Sequence, residues 1–202
     1  MANGIILSIC IPTIIGREIP FTNLCNKLNT QLEEQGVWNE VEIVTECDDR
    51  TMSIGNKRQL LLTRTYGDFV SFIDDDDNIS DDYCYTIWRA IKDNPDTDCI
   101  GFLQKCIING GAPKLASLSN RWDNWSEKVG VYDYVRTPFF PNAIRREHCM
   151  AIGYEDLRFG EDFDFSMRLK AAGLIKNEVF IDKILYNYEY VYVPNKYKAP
   201  VK

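Results

Sequence analysis

The sequence predicts an α/β protein whose central, mostly parallel sheet is flanked by helices. Residues 5–12, 41–45 and 69–73 are short apolar runs, which is typical of strands buried on both faces. Residues 21–35 and 54–66 lie between them and carry apolar side chains at helical spacing. A β-α-β-α-β order implies parallel strands joined by right-handed crossovers.

The rest of the chain continues this pattern less regularly. The predicted elements are a helix at 81–93, a strand at 98–107, loops and short strands over 109–135, a strand at 139–144, helices at 146–151 and 162–172, and one or two strands over 181–193. The irregular stretch is of the kind that shapes a substrate pocket. We interpret residues 1–202 as one domain with two halves, 1–108 and 109–202.

Composition excludes several classes of protein. The 202 residues include 23 Lys and Arg against 30 Asp and Glu, a net charge of −7 that disfavours electrostatic DNA binding. Seven scattered cysteines without a Cys-x-x-Cys pair argue against a disulfide framework or zinc site, and a single histidine leaves little scope for histidine chemistry. No apolar run reaches the roughly 20 residues of a membrane span, and no leader is evident. We therefore expect a cytoplasmic protein.

The strongest chemical signal is the run of four aspartates from Asp74 to Asp77, directly after an apolar strand. Ligands of open α/β sheets bind beyond the carboxyl ends of the strands, where Thr13 and the acidic stretch 46–49 also fall. Consecutive carboxylates repel one another unless a cation neutralises them, and oxygen ligands suit Mg²⁺ or Mn²⁺. An acidic turn that caps the next helix would need only one or two acids.

Two further motifs carry charge at helix starts. Lys57 and Arg58 open the second helix, where they either meet phosphate oxygens or form a solvated face. Glu161 and Asp162 follow a glycine at another helix start. Capping explains one of these two acids. The other is a candidate general base that removes a proton from an attacking hydroxyl.

Taken together and in order, these segments resemble the family-2 glycosyltransferases of the GT-A fold, in particular small single-domain forms from phages and large DNA viruses. The matching segments are LSICIPTI, ECDDRT, SIGNKRQLL followed by YGDFVSFIDDDD, FFPNAIRRE, and YEDLRFGEDFDFSMRLKAAG. They span most of the chain, and the specificity comes from their order and spacing rather than from any one of them. The resemblance implies that residues 1–108 bind the nucleotide sugar and metal, and that residues 109–202 bind the acceptor and carry the catalytic base.

The resemblance implies a role for each acid of the first motif. The run looks like the family's Asp-x-Asp motif, with Asp74 and Asp75 facing the nucleotide sugar and Asp76 holding Mn²⁺ or Mg²⁺. Asp74 and Asp77 would assist as metal ligands. The donor would be a nucleoside-diphosphate sugar of the UDP or GDP type.

The resemblance also implies where the nucleotide binds. Asp48, with Asp49 or Glu46 as alternatives, would recognise the base, and Thr13 would contact the nucleotide. Lys57 and Arg58 would stabilise the departing diphosphate.

Arg58 matches the basic member of an Arg-Asn pair, in which Gln59 stands here for the Asn. Asp162, the second acid of the Glu161–Asp162 pair, would be the catalytic base of an inverting transfer.

The acceptor is the least defined partner. Trp122 and Trp125 would either stack on an acceptor or anchor the core. A glycan or glycoprotein hydroxyl is the leading acceptor. A hydroxylated base in DNA is an alternative that the net charge disfavours. A nucleotidyltransferase is less favoured because the first strand lacks a Gly-rich phosphate loop, and an inactive binding module is disfavoured by the intact acids.

Overall fold

The computed structural model of the chain describes residues 4–191, in which ten strands form one sheet and five helices pack against it. The strands are β1 (Leu7–Ile14), β2 (Val41–Asp48), β3 (Phe69–Phe72), β4 (Asn78–Ile79), β5 (Cys99–Ile108), β6 (Lys114–Leu118), β7 (Ser126–Val129), β8 (Tyr132–Arg136), β9 (Ala143–Arg145) and β10 (Glu178–Tyr190). The helices are α1 (Glu18–Glu34), α2 (Ile54–Thr63), α3 (Tyr83–Asp93), α4 (Arg146–Ile152) and α5 (Glu161–Ala172).

The predicted parallel unit at the start of the chain is confirmed. β1 pairs in parallel with β2 on one side and β3 on the other, and its residues from Leu7 to Thr13 are buried. The sheet order runs β2-β1-β3-β9-β5-β6-β8-β7. The carboxyl ends of β1, β2 and β3 therefore meet at one edge, where the sequence predicted the site.

Several predicted boundaries were wrong. α1 begins at Glu18 rather than at residue 21 because Pro20 fits the first turn, where its missing N–H is not needed. β2 continues to Asp48, so Glu46 lies in the strand and not in a turn. α2 ends at Thr63, three residues before the predicted end. Residues 139–142 form a turn before the short β9, because Asn142 donates its N–H to the Phe139 carbonyl (3.0 Å).

The irregular stretch 109–135 folds as an extension of the sheet. β5 pairs antiparallel with β6, which pairs in parallel with β8, and β7 closes this edge antiparallel to β8. The prediction of short strands here is confirmed.

β10 runs parallel to β5 and antiparallel to the two-residue β4. Its register with β5 shifts between Ile181 and Ile184 and again between Ile184 and Tyr186, after which the pairing is regular to Tyr190. Such bulges set which side chains of the strand face each way. Residues 192 and 193, the end of the region predicted as strand, lie outside the described residues. None of the helices within residues 4–191 has the length and apolar character that a bilayer crossing requires.

Candidate active site

The acidic run forms the turn between β3 and β4, in which the Asp77 N–H donates to the Asp74 carbonyl (3.0 Å). An open cleft of about 580 Å³ lies against this turn. Its wall includes Thr13 and Arg17 from the β1 end, Lys57 from α2, the four aspartates, residues 158–162 and residues 188–191. The structure therefore brings together most of the predicted site residues.

Asp74 belongs to a buried charge cluster beneath the cleft. Arg58 Nη2 donates to Asp74 Oδ1 (2.9 Å), Arg58 Nε donates to Glu161 Oε1 (3.2 Å), and the guanidinium lies 3.8 Å from the Phe140 ring centroid. Burial alone would lower the pKa of Arg58, but Asp74 and Glu161 raise it, so the guanidinium stays charged. Only 1% of Arg58 is exposed. Arg58 thus joins the two acidic motifs and is not among the residues that line the cleft.

Asp75 and Asp76 are bound by residues from the end of β1 and from the loop that follows it. Thr13 Oγ1 donates to Asp75 Oδ2 (2.5 Å), and Arg17 pairs with Asp75 Oδ1 (2.5 Å) and Asp76 Oδ2 (3.0 Å). Asp75 is buried, whereas 47% of the Asp76 side chain is exposed to the cleft. Sequence reasoning missed Arg17. The signal available was a basic residue four positions after Thr13, in a loop that leaves a strand's carboxyl end.

Asp77 is bound by a side chain from the far end of the sequence. Tyr186 donates its hydroxyl proton to Asp77 Oδ2 (2.7 Å) and accepts the Asp74 N–H (3.2 Å). Burial and the neighbouring Asp74 raise the pKa of Asp77 well above its usual value. The pKa of Asp74 is also raised, by burial and by the charges of Asp76 and Glu161, although Arg58 opposes this. Asp77 thus differs from the other three acids of the turn, because its partner is a tyrosine hydroxyl rather than an arginine.

The base-recognition candidates are held at the β2 edge of the cleft. Lys57 Nζ forms an ion pair with Asp48 and donates to the Thr13 carbonyl (2.6 Å), while the Met52 N–H donates to Asp48 Oδ2 (2.7 Å). Burial would raise the pKa of Asp48, but the ion pair and the hydrogen bond outweigh this effect and lower it.

The two alternatives to Asp48 have other partners. Glu46 forms an ion pair with Arg64 at the end of α2, and the exposed Asp49 accepts the Thr51 N–H (3.3 Å). Asp48 is therefore the acid of this stretch that the structure ties to cleft residues.

Glu161 and Asp162 begin α5 but differ in environment. Glu161 is buried and bound to Arg58. Asp162 lines the cleft and accepts the Phe163 N–H (2.8 Å), and no Lys or Arg among residues 4–191 pairs with its carboxylate within 4.0 Å. Burial raises the pKa of Asp162, which Arg58 partly offsets. A carboxylate of this kind is suited to accept a proton.

The segment 154–160, which leads into α5, is bound to the start of α2. Ser53 Oγ donates to Asp156 Oδ1 (2.5 Å), the Gly55 N–H donates to the Leu157 carbonyl (3.0 Å), and Arg158 donates to the carbonyls of Arg50 and Thr51.

Gly55 permits this approach, because a Cβ there would lie 1.9 Å from the Glu155 carbonyl oxygen. Gln59 accepts the Tyr154 N–H (2.8 Å), so it too binds this segment.

Trp122 and Trp125 lie outside the cleft wall. Trp125 Nε1 donates to Thr137 Oγ1 and Ser166 Oγ, both at 3.1 Å, and its ring packs edge-on against Phe139. Trp122 packs edge-on against Tyr132 in the outer part of the sheet. Trp125 packs against the hydrophobic core, whereas Trp122 lies between Arg121 and Tyr132, and the acceptor role of both residues stays a prediction.

The donor set fits a hard divalent cation. Within residues 4–191 no three metal-binding side chains converge on one point. Mg²⁺ usually takes only one or two carboxylates and completes its coordination with phosphate oxygens and water. Asp76 and Asp77 line the cleft, and the four carboxylates of the turn share two arginine partners in the described chain, Arg17 and Arg58. These oxygens suit the cation that the sequence predicted.

Comparison with solved structures defines the class of the protein. The structure of TarS residues 1–349 from S. aureus superposes with a TM-score of 0.60 and 18% identity over 92% of this chain and 60% of that one. The complex of the same TarS fragment with UDP-GlcNAc gives a TM-score of 0.63 and 17% identity over 98% and 62%. The catalytic domain of Drosophila β1,4-galactosyltransferase 7, bound to xylobiose, gives 0.57 and 15% over 90% and 68%. The fold is the GT-A fold of glycosyltransferases.

The family follows from the sequence itself. The family model described as glycosyl transferase family 2 matches residues 48–158, more than half of the chain. The protein belongs to this family. Its chain spans about 60% of the length of the first TarS structure, and no curated protein matches its sequence.

Proposed function

We propose that the protein transfers a sugar from a nucleoside-diphosphate sugar to an acceptor hydroxyl, with inversion at the anomeric carbon. The observation that carries this proposal is the cleft at the strand ends, which has the Asp74–Asp77 turn on one side and the Asp162 carboxylate, without a cationic partner in the described chain, on another. Family membership and the GT-A fold support the same chemistry.

The donor would bind along the edge of the sheet. Its base lies toward Asp48 at the end of β2, and its diphosphate lies against the acidic turn. Lys57 and Arg17 line the cleft and supply positive charge for the phosphates. Asp76 would hold Mn²⁺ or Mg²⁺ with help from Asp77 or Asp74, and the cation when bound offsets the charge that develops on the leaving diphosphate.

Asp162 is the proposed general base. Its raised pKa strengthens it as a proton acceptor. It removes the proton from the acceptor hydroxyl as that oxygen bonds to the anomeric carbon from the face opposite the diphosphate. Glu161 does not take part directly; it fixes the start of α5 through Arg58.

The acceptor we propose is a hydroxyl of a glycan or glycoprotein. The net charge of −7 disfavours DNA, whose binding depends on neutralising phosphates. The UDP-GlcNAc complex of TarS makes UDP-sugars the first donors to test.

The test is release of nucleoside diphosphate from a panel of UDP-, GDP-, CDP- and dTDP-sugars with Mn²⁺. We expect the wild type to release nucleoside diphosphate from one donor class. Asp76→Asn should lose the metal-dependent release, and Asp162→Asn should turn over at least 100-fold more slowly. Asp164→Asn is the matched control, since Asp164 lies two residues after Asp162 in α5 and forms an ion pair with Arg168. Absence of both release and nucleotide binding for every donor would refute the proposal.

A further inference from the structure

Three tyrosines extend from the acidic turn along one face of β10. Alternate residues of a strand share a face, so Tyr186, Tyr188 and Tyr190 point the same way. Tyr186 is fully buried and binds the turn through Asp77. Tyr188 and Tyr190 are half-buried, line the cleft, and stack with ring centroids 6.3 Å apart and planes 11° from parallel.

Their position in the sheet separates them from the nucleotide base. Asp48 and Thr13 lie at the ends of β2 and β1, on one side of the turn that follows β3. β10 pairs with β4, the strand that leaves this turn, and with β5 beyond β9. A nucleotide with its base near Asp48 and its diphosphate at the turn therefore directs its far end toward Tyr188 and Tyr190.

Tyrosine rings suit one kind of ligand at that end. Each ring presents a flat apolar face together with a hydroxyl that can form a hydrogen bond. A pyranose has the complementary form, with one face of C–H groups and a rim of hydroxyls. Phe159, 58% exposed, lines the same cleft and adds a further aromatic surface.

We propose that Tyr188 and Tyr190 form a wall that binds a pyranose ring by stacking. The inference rests on the proposed function, since it places this ring beside the transfer centre. The ring belongs either to the donor sugar or to the acceptor, and the same variants distinguish the two sources.

The test compares Tyr190→Ala with Tyr190→Phe and with Tyr66→Ala. The Phe variant keeps the ring, and Tyr66, 65% exposed, lies outside the cleft wall and so is the matched control. One arm measures Kd for UDP and UDP-GlcNAc with Mg²⁺ by calorimetry. The second measures saturation-transfer NMR signals of methyl glycosides of glucose, galactose and N-acetylglucosamine. Thermal unfolding checks that each variant is folded.

We expect Tyr190→Ala to weaken sugar binding about 3- to 10-fold, with little change in the Phe and Tyr66 variants. A weaker Kd for UDP-GlcNAc with UDP unchanged assigns the donor sugar, whereas weaker glycoside signals alone assign the acceptor. Equal weakening of UDP and UDP-GlcNAc, or no change in either arm, overturns the proposal. If the wild type binds no nucleotide, the proposed function fails for uridine donors, and the glycoside arm still decides whether the wall exists.

Discussion

Arg58→Met provides the sharpest test of how the site is held together. The substitution keeps an apolar side chain over Phe140 but leaves Asp74 and Glu161 without their shared cation. Removing one partner of a buried ion pair costs about 3–5 kcal/mol, because the remaining charge stays buried. At about 2–4 °C per kcal/mol for a chain of this size, Tm should fall by about 6–20 °C.

Two further variants separate charge from packing. Arg64→Met removes an ion pair from the end of the same helix, but Arg64 is half exposed, so the loss should stay below about 1 kcal/mol. Arg58→Met/Glu161→Gln removes one of the stranded charges and should recover part of the loss. Chemical denaturation of the four proteins measures these differences. An Arg58→Met loss below about 1 kcal/mol, or no recovery in the double variant, would refute the coupling that we describe.

Two other outcomes follow from Asp162 and Gly55. Burial raises the folded-state pKa of Asp162 above the ordinary 3.8. Ionisation of this carboxyl therefore lowers the stability of the fold as the pH rises above 3.8, and it has no effect at lower pH, where the group is protonated in both states. Asp162→Asn should therefore raise Tm at pH 7 but not at pH 3, and a gain at both would contradict this. Gly55→Ala places a Cβ against the Glu155 carbonyl and should cost about 1–3 kcal/mol in urea unfolding. Ala at the exposed Asn56 is the control, and equal losses would contradict the close approach.

Local pattern was enough to locate the site but not to assign its charges. The apolar run before Asp74 predicted a buried strand, and the parallel order placed its end beside Thr13, as the structure confirms. The environment of Arg58 was not predictable, because its partners lie 16 and 103 residues away. Its helix also buries Lys57 and Arg58 on the same face as Leu61 and Leu62, one turn further along, although basic side chains are usually exposed.

Long-range partners explain the other omissions. Arg17 acquires its role from carboxylates 58 and 59 positions further along the chain, and Tyr186 binds an aspartate 109 residues before it. Trp122 and Trp125 were acceptor candidates because they are aromatic and lie in an irregular stretch of the sequence. Trp125 instead binds Thr137 and Ser166 through its indole N–H, a pairing that depends on how α5 packs and that composition does not reveal.

The two register shifts in β10 decide which side chains of this strand line the cleft. From Tyr186 onward, every residue's facing depends on the extra residues accommodated between Ile181 and Tyr186. A strand shifted by one residue exposes its other set of side chains. Inserting one residue into that bulge would place Asn187 and Glu189 where Tyr188 and Tyr190 now lie, and it would also move Tyr186 away from Asp77. The length of the bulge therefore sets two features together: the tyrosine pair at the cleft and the hydroxyl that binds the acidic turn.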